Sequence, residues 1–343
     1  MPEIAGIKAY DPTGVDEIVA QAGLPAFRAK QLKGWIYGKG ACSYDEMTNL
    51  PKAMREQLAE SYPLHRAEIA KVVKSSDGTR KYLVKYSDET LVEAVGIPSG
   101  DRLTVCFSTQ AGCSMGCAFC ATGKGGFHRN LAPGEIFDQV ALIADDFGQR
   151  VTNAVAMGQG EPFLNYEAVI GALRYMNADY GLGIGARRLT VSTCGIIPMI
   201  RRLASEPEQF TLAVSLHSAV QNTRDKLMTN VSNYTLDRLR DSLISYSDAT
   251  GRRPTLEYAM INSVNDTDDE LEALIAFCRK MLCHVNLIPL NKVQGSGYLP
   301  SRAERVKLFE QELNSKGIET TVRSSRGKDI QGACGQLRQD YME

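Results

Sequence analysis

The chain has 343 residues, 43% apolar and 23% charged, a balance that suits a soluble globular protein with one large α/β domain and a smaller one. A formal net charge of −1 excludes a chain that grips nucleic acid by bulk electrostatics, and no apolar run approaches the roughly 18 residues of a membrane span. The opening MPEIAGIKAYDPTG lacks the basic and apolar regions of a signal peptide, so the expected location is cytoplasmic, where nine cysteines stay reduced and available for metal and redox work.

Residues 1–98 read as a small α+β accessory domain. The stretch PAFRAKQLKGWIYGKG predicts a helix with Phe27, Leu32, Trp35 and Ile36 on one side and basic residues opposite. A second helix is expected over residues 51–60. Asp77-Gly78, between β-prone runs, predicts a tight hairpin turn. Basic residues gather here at Arg28, Lys30, Lys33 and Lys39, and later at Lys124, His128 and Arg129, at Arg187 and Arg188, and at Arg323, Arg326, Lys328 and Arg338. Such clusters are most often solvated faces, so composition leaves both a lid and an RNA-binding surface open for this domain.

Residues 99–343 alternate strand, loop and helix. Strands are expected at 103–107, 154–157, 188–192, 211–216, 255–261, 284–290 and 318–323, with helices between them. The helix after Asp266 is expected to bury Leu271, Leu274, Ile275, Cys278 and Leu282. The last helix should open on a capping box of Ser301 and Glu304, bury Val306, Phe309 and Leu313, and stop at Gly317. Short apolar strands alternating with helices predict a parallel sheet closed into a barrel or a partial one, an α/β fold of the (βα)6 type.

The stretch CFSTQAGCSMGCAFC, residues 106–120, holds four of the nine cysteines. Cys113, Cys117 and Cys120 have the spacing C-x3-C-x2-C, which suits a [4Fe–4S] cluster held by three thiolates with one iron left open. A structural zinc site with Cys106 or His128 as fourth ligand, and an electron-transfer centre using Cys106, are the competing readings. The spacing resembles that of radical S-adenosylmethionine (SAM) enzymes, in which the open iron chelates SAM and the cofactor supplies radical chemistry that no side chain can.

The unusual residues fall at the C-terminal ends of the expected strands, where βα barrels build their active sites. In MGQGEP, Gly158 and Gly160 let the backbone approach a ligand and Glu161 offers a carboxylate to the amine of SAM; a tight strand-to-helix turn is the plainer reading. Ser192, Ser215, His217 and Asn291 could hydrogen-bond the nucleoside and carboxylate of SAM. Cys334 lies in a glycine-flanked segment, RGKDIQGACGQ.

Taken together, CFSTQAGCSMGCAFCATGKGGFHRNL, GQGEPFLN, VSLHS, RGKDIQGACGQL and the N-terminal FRAKQLKGWIYGKG and SYDEMTNLPKAMREQL resemble the RlmN/Cfr family of radical-SAM RNA methyltransferases over nearly the whole chain, nearest its RlmN branch. The resemblance implies a radical-SAM barrel preceded by an RNA-binding accessory domain, and methylation of adenosine carbon 2 in 23S rRNA and, in some members, tRNA. Methylation of carbon 8, or action on a non-RNA substrate, are the alternatives. It implies Cys113, Cys117 and Cys120 as cluster ligands, and Gly160, Glu161, Ser192, Ser215, Leu216, His217 and Asn291 as SAM-binding positions. Cys334 matches the methyl-carrying cysteine, Cys106 the resolving cysteine, with which it would form a disulfide, and Glu93 a proton acceptor. An electron donor such as flavodoxin or ferredoxin is implied, and a monomer is expected. The chain departs from the family after Asn291, where NKVQGSGYLP lacks an aromatic, proline-rich run, and at Gln159, commonly methionine.

Overall fold

The computed structural model describes residues 12–231, 233–293, 295–323 and 326–337; the opening residues 1–11, Gln294 and Arg338 lie outside the described residues. Three helices come first, α1 (Pro12–Gln21), α2 (Phe27–Lys33) and α3 (Lys52–Ser61). Helix α2 runs into a π-helical turn over Gly34–Gly38 and buries Ala29, Leu32 and Ile36, spaced three and four apart. Phe27, expected on that face, is 58% exposed. It stands two residues before Ala29, which at about 100° per residue turns it to the opposite side, beside the Arg28 guanidinium.

Next come β1 (Glu68–Lys74), β2 (Arg80–Lys85) and β3 (Leu91–Ser99), antiparallel and joined through the expected turn at Asp77-Gly78. Gly78 has φ +84°, the left-handed conformation that such a turn requires. Strand β3 then pairs antiparallel with β4 (Arg102–Cys106), so these strands continue into the main sheet.

From β4 the chain passes through a short hairpin, β5 (Gln110–Gly112) and β6 (Phe127–Asn130), with the four-residue helix α4 (Ala121–Lys124) between them. The alternation follows as α5 (Pro133–Phe147), β7 (Asn153–Ala156), α6 (Tyr166–Asn177), β8 (Leu189–Thr193), α7 (Ile197–Ala204), β9 (Thr211–Ser215), α8 (Gln221–Leu227), α9 (Leu236–Thr250), β10 (Thr255–Met260), α10 (Asp268–Cys278), β11 (His284–Pro289), α11 (Ala303–Ser315) and β12 (Thr320–Val322). One ten-stranded sheet has the order β1-β2-β3-β4-β7-β8-β9-β10-β11-β12, parallel from β4 onward. Among the described residues no pairing joins β12 back to β4, so the barrel is partial, with six strand–helix units and a closing strand. Strand interiors such as Val105, Ala154, Val191, Leu212, Leu256 and Leu287 are fully buried, because helices cover the parallel sheet.

Two expected helix features differ. Helix α10 ends at Cys278, Arg279 is extended and Lys280 has φ +62°, so Leu282 leaves the buried face and is 56% exposed. Helix α11 has Arg302, not Ser301, as its N-cap. The Ser301 amide instead donates to the carbonyl of Met260 at 3.2 Å, beside a bridge between Ile261 and Pro300, which draws this residue toward the sheet. Among the described residues no helix is long and apolar enough to cross a membrane.

Candidate active site at the strand ends

The cysteine loop is held from below by polar side chains that sequence reading did not single out. Asn165, at the end of GEPFLN, donates its amide to the carbonyls of Thr109 (2.9 Å) and Leu131 (2.8 Å), stapling both ends of the β5–β6 hairpin. Gln139 of α5 both accepts from the Ser108 amide (2.8 Å) and donates to the Ser108 carbonyl (2.9 Å). The glycines of MGQGEP allow close approach, as expected. A Cβ on Gly158 would lie 2.7 Å from the Phe107 backbone, and one on Gly160, at φ +102°, 2.7 Å from Gln110.

A cavity of about 160 Å³ opens above these loops. Cys113, Cys117 and Cys120 line it, together with Gly160, Glu161, Ser192, Ser215, His217, Asn291 and Cys334. Leu216, by contrast, is fully buried away from the wall, with its amide donating to the Glu257 carbonyl at 3.0 Å. His128 is exposed on β6 and Cys106 lies outside this cavity, so neither proposed fourth zinc ligand joins the three thiols. Among the described residues no three His, Cys, Asp or Glu side chains converge tightly enough for a single metal ion. Thiolates that ligate different irons of a cluster need not converge on one point.

The surroundings fit a thiolate-bound, negatively charged group. Arg224 of α8 is only 1% exposed and donates Nη2 to the Cys194 carbonyl at 2.7 Å, while its Nε and Nη1 are buried without a partner. A buried guanidinium is costly unless an anion faces it, and Cys117 is among the groups that Arg224 feels electrostatically. Burial pushes the Cys113 thiol up to about 12 and raises Cys120, whereas a hydrogen bond with the Cys194 thiol holds Cys117 below the usual range. Cys194 is thus a fourth thiol beside the triplet, outside the C-x3-C-x2-C pattern, and with Cys334 the wall carries five cysteines.

Glu161 is buried, accepting from the amides of Phe163 (3.0 Å) and Cys194 (2.7 Å); burial still raises its carboxyl. His217 has φ +57° at the end of β9, unusual for a non-glycine residue. Its Nδ1 accepts from the Ala259 amide at 3.0 Å, and burial pushes its pKa down to about 3, so the ring is neutral and carries its proton on Nε2. The ring packs edge-on against Phe119 at 4.8 Å.

A second cavity, about 810 Å³, adjoins the first and is lined by Cys106, Met157, Asn291, Arg323 and Cys334, among others. Cys334, Asn291 and Arg323 border both cavities. Asn291 donates Nδ2 to the Cys334 carbonyl at 3.2 Å. Burial pushes the Cys106 thiol up to about 12, with Cys334 adding to the rise and Arg323 opposing it. Arg323, grouped above with candidate RNA-phosphate contacts, points inward toward Cys334, Glu257 and Cys106. Glu257, a buried carboxylate on the wall of the first cavity, went unnoticed in the sequence because a lone glutamate in an apolar strand carries no local signal. Glu93 is buried on β3 rather than solvated; Lys81 pairs with it at 2.9 Å, and it lines neither cavity.

Comparison with known proteins agrees with this geometry. The Radical SAM superfamily profile matches residues 107–278, and the profile of the ribosomal RNA large subunit methyltransferase N-terminal domain matches residues 7–63. The chain is 46% identical to the probable dual-specificity RNA methyltransferase RlmN of Synechococcus elongatus, covering 94% of this chain and 90% of that protein. It is 43% identical to the RlmN protein of the same description from Alkaliphilus oremlandii, covering 96% of each. The crystal structure of a radical SAM methyltransferase from Sphaerobacter thermophilus superposes with a TM-score of 0.92 at 44% identity, covering 96% of this chain and 99% of that one. With a partial βα barrel, a cysteine loop at its strand ends and likeness along nearly its whole length, the chain belongs to the RlmN family of the radical-SAM superfamily.

Proposed function

We propose that this chain methylates carbon 2 of an adenosine in 23S rRNA, and also in tRNA, through an S-methylcysteine at Cys334. The observation that carries the reading is the position of Cys334 on the wall shared by two cavities, one holding the cysteine triplet and the other holding Cys106. A radical-SAM enzyme acting on a small molecule or a protein has no need of that second thiol pair. Cys113, Cys117 and Cys120 would hold a [4Fe–4S] cluster, with Arg224 as the buried counter-charge. Gly160, Glu161, Ser192, Ser215, His217, Asn291 and the backbone of Leu216 would bind SAM, His217 offering an Nε2–H donor. Bound together, the cluster and SAM supply the electron and the 5′-deoxyadenosyl radical.

Cys334, as thiolate, would take the methyl group of a first SAM, with S-adenosylhomocysteine leaving, and present it to the base. Adenine carbon 2 is electron-poor, so a carbon held on sulfur and activated as a radical reaches it where direct attack on SAM's methyl by the ring does not. The base so coupled would then give up one electron, returned to the cluster, and its ring proton; attack of the Cys106 thiolate on the Cys334 sulfur would break the carbon–sulfur bond, leaving the electron pair on the methylene carbon, which takes a proton to become the methyl group, and a disulfide for a cellular dithiol to reopen. Arg323 opposes the rise that burial imposes on the Cys106 thiol, the nucleophile of this exchange. Glu93 as acceptor of the ring proton rests on the resemblance alone, since Lys81 occupies its carboxylate. Residues 1–98 are the proposed RNA-binding region and 99–343 the catalytic barrel. The base must leave its stack to enter the cavity. A flavodoxin or ferredoxin is the proposed electron donor, and a monomer in the cytoplasm the working form.

The test is to reconstitute the cluster anaerobically, add SAM and reductant, and offer unmodified 23S rRNA fragments and tRNA in parallel. Mass spectrometry against both isomeric standards should find 2-methyladenosine; 8-methyladenosine would move the activity to the other carbon. Cys334→Ala should abolish RNA methylation while keeping the cluster, and full methylation by that variant would overturn the mechanism.

A further inference from the structure

The segment that carries Cys334 is held at two stations far apart in the chain. Near the cysteine loop, the Ala121 amide donates to the Gly335 carbonyl (2.8 Å), Thr122 Oγ1 to the Leu337 carbonyl (2.9 Å) and Gln336 Nε2 to the Lys292 carbonyl (2.9 Å). The other station is the turn between β1 and β2, about 250 residues earlier. There Asp77 accepts from the Thr79 amide at Oδ1 (2.9 Å) and from the Gly327 amide at Oδ2 (3.1 Å). Asp329 answers in the opposite direction, accepting from Ser75 Oγ at Oδ1 (2.6 Å) and from the Ser76 amide at Oδ2 (3.1 Å). Each carboxylate therefore satisfies backbone donors of the other's loop.

The approach is also too close for a side chain. Gly327 has φ +62°, and a Cβ there would sit 2.9 Å from the methyl of the buried Thr79. The Gly332 amide donates to the Gly327 carbonyl at 2.9 Å, closing the loop just before Cys334. Hydrogen bonds from Ser75 and Ser76 hold the Asp329 carboxyl below the usual range, so the contact is in its ionised, accepting form at neutral pH. We propose that Asp77 and Asp329 form a reciprocal clasp that positions Cys334, the β1–β2 turn fixing the loop so that its thiol stands at the junction of the two cavities. The proposal rests on the reading of Cys334 as the methyl carrier, and it makes the hairpin a working part of the methyl-transfer site. Asp329 to Cys334 is five residues, so releasing the clasp loosens the approach to the thiol from its N-terminal side while the Ala121 amide still holds Gly335 on the other.

The experiment compares the full-length chain with Asp77→Ala, Asp329→Ala and the double variant. Iodoacetamide labelling of Cys334, read by peptide mass spectrometry in protein free of RNA and SAM, should accelerate about three- to tenfold in each single variant, and amide exchange over residues 326–337 should rise similarly. The double variant should add little, because either change opens the same clasp. Labelling of exposed Cys42 should not move. In reconstituted enzyme, methyladenosine formed per 5′-deoxyadenosine released should fall while SAM cleavage continues. Asp329→Asn, which keeps one acceptor oxygen, should recover part of the coupling. If Asp77→Ala fails to fold, Asp329→Ala and Ser75→Ala open the clasp from its exposed side. Unchanged labelling and exchange in all variants would overturn the clasp, as would a loosened loop with undiminished coupling. Cys334→Ala separates the two readings: retained methylation there overturns the carrier role, whereas lost methylation there with wild-type coupling in the Asp variants overturns only the positioning role.

Discussion

Arg224 brings a full charge into the interior and leaves two of its nitrogens unpaired, which makes sense only if an anion is to lie beside it. Arg224→Met should therefore move two quantities in opposite directions. Without iron, the variant should be about 1–4 kcal/mol more stable in denaturant titrations, because a buried unpaired charge has been removed. After reconstitution it should retain clearly less iron per chain than wild type, measured by metal analysis and visible absorbance. The fourth thiol allows a parallel test: Cys194→Ser should keep both iron and SAM cleavage, whereas serine at Cys113, Cys117 or Cys120 should lose both. Retention of iron only when Cys194 is present would make it a ligand and close the site to SAM. His217 gives a pH signature. Its folded pKa of about 3 lies below the unfolded value of 6.5, so its contribution is fully present above pH 6.5 and is lost as pH falls toward 3. Between pH 7.5 and pH 5 the wild type should lose about 2 kcal/mol more than His217→Asn, read from denaturation midpoints. The cysteine triplet was legible because its chemistry is encoded in local spacing. Arg224, Glu257 and Arg323 were not, because each becomes part of the site only when distant strands bring it to a common cavity.

Elements were more legible than residues, since a strand of four to six apolar residues bounded by polar turns reads the same before and after folding. The failures have separate causes. Ser301 had the right spacing for a cap but was drawn to Met260, and Leu282 had the right period but lay beyond the point where Lys280 turns left-handed. The β5–β6 hairpin was missed because its strands are only three and four residues long and held by side chains from elsewhere. Asn165 is the main such holder. Asn165→Ala would take the side-chain donor from the Leu131 carbonyl and leave the Thr109 carbonyl with the Leu131 amide at 3.2 Å, and should cost about 1–3 kcal/mol, with faster amide exchange over residues 109–131. If stability falls but exchange across the hairpin does not change, Asn165 braces its own helix start rather than the cysteine loop.

At the scale of the molecule, the accessory region and the barrel are tied through one sheet. Strand β3 pairs with β2 on one side and β4 on the other, and a Cβ on its Gly96 would collide with Phe147 and Ile143 of α5. Ion pairs cross the same seam: Arg66 with Asp138 at 3.1 Å, Arg80 with Asp146 at 2.6 Å, and Asp88 with Arg129 at 2.7 Å. The first of these is buried on both sides, and Arg66 also donates to the Gly40 carbonyl, reaching back to the helical segment. Arg66→Ala would leave Asp138 buried without its cation, with only the Ala67 amide still donating to it at 3.0 Å, a loss of about 3–5 kcal/mol. It follows that residues 1–98, although distinct in composition, lack the partner that completes their sheet. Cut from the barrel, they would expose the β4-facing edge of β3, eight of whose nine residues remain and whose stretch from Val92 to Val95 is buried in the whole chain. Expressed alone, residues 1–98 should give an unfolded or self-associating product by circular dichroism and light scattering, whereas the full chain should unfold with its hairpin and barrel amides losing protection together. A monomeric fragment with a cooperative melt would show instead that the helices α1 to α3 supply enough core for independent folding, and would make the shared sheet a docking surface rather than a condition of folding.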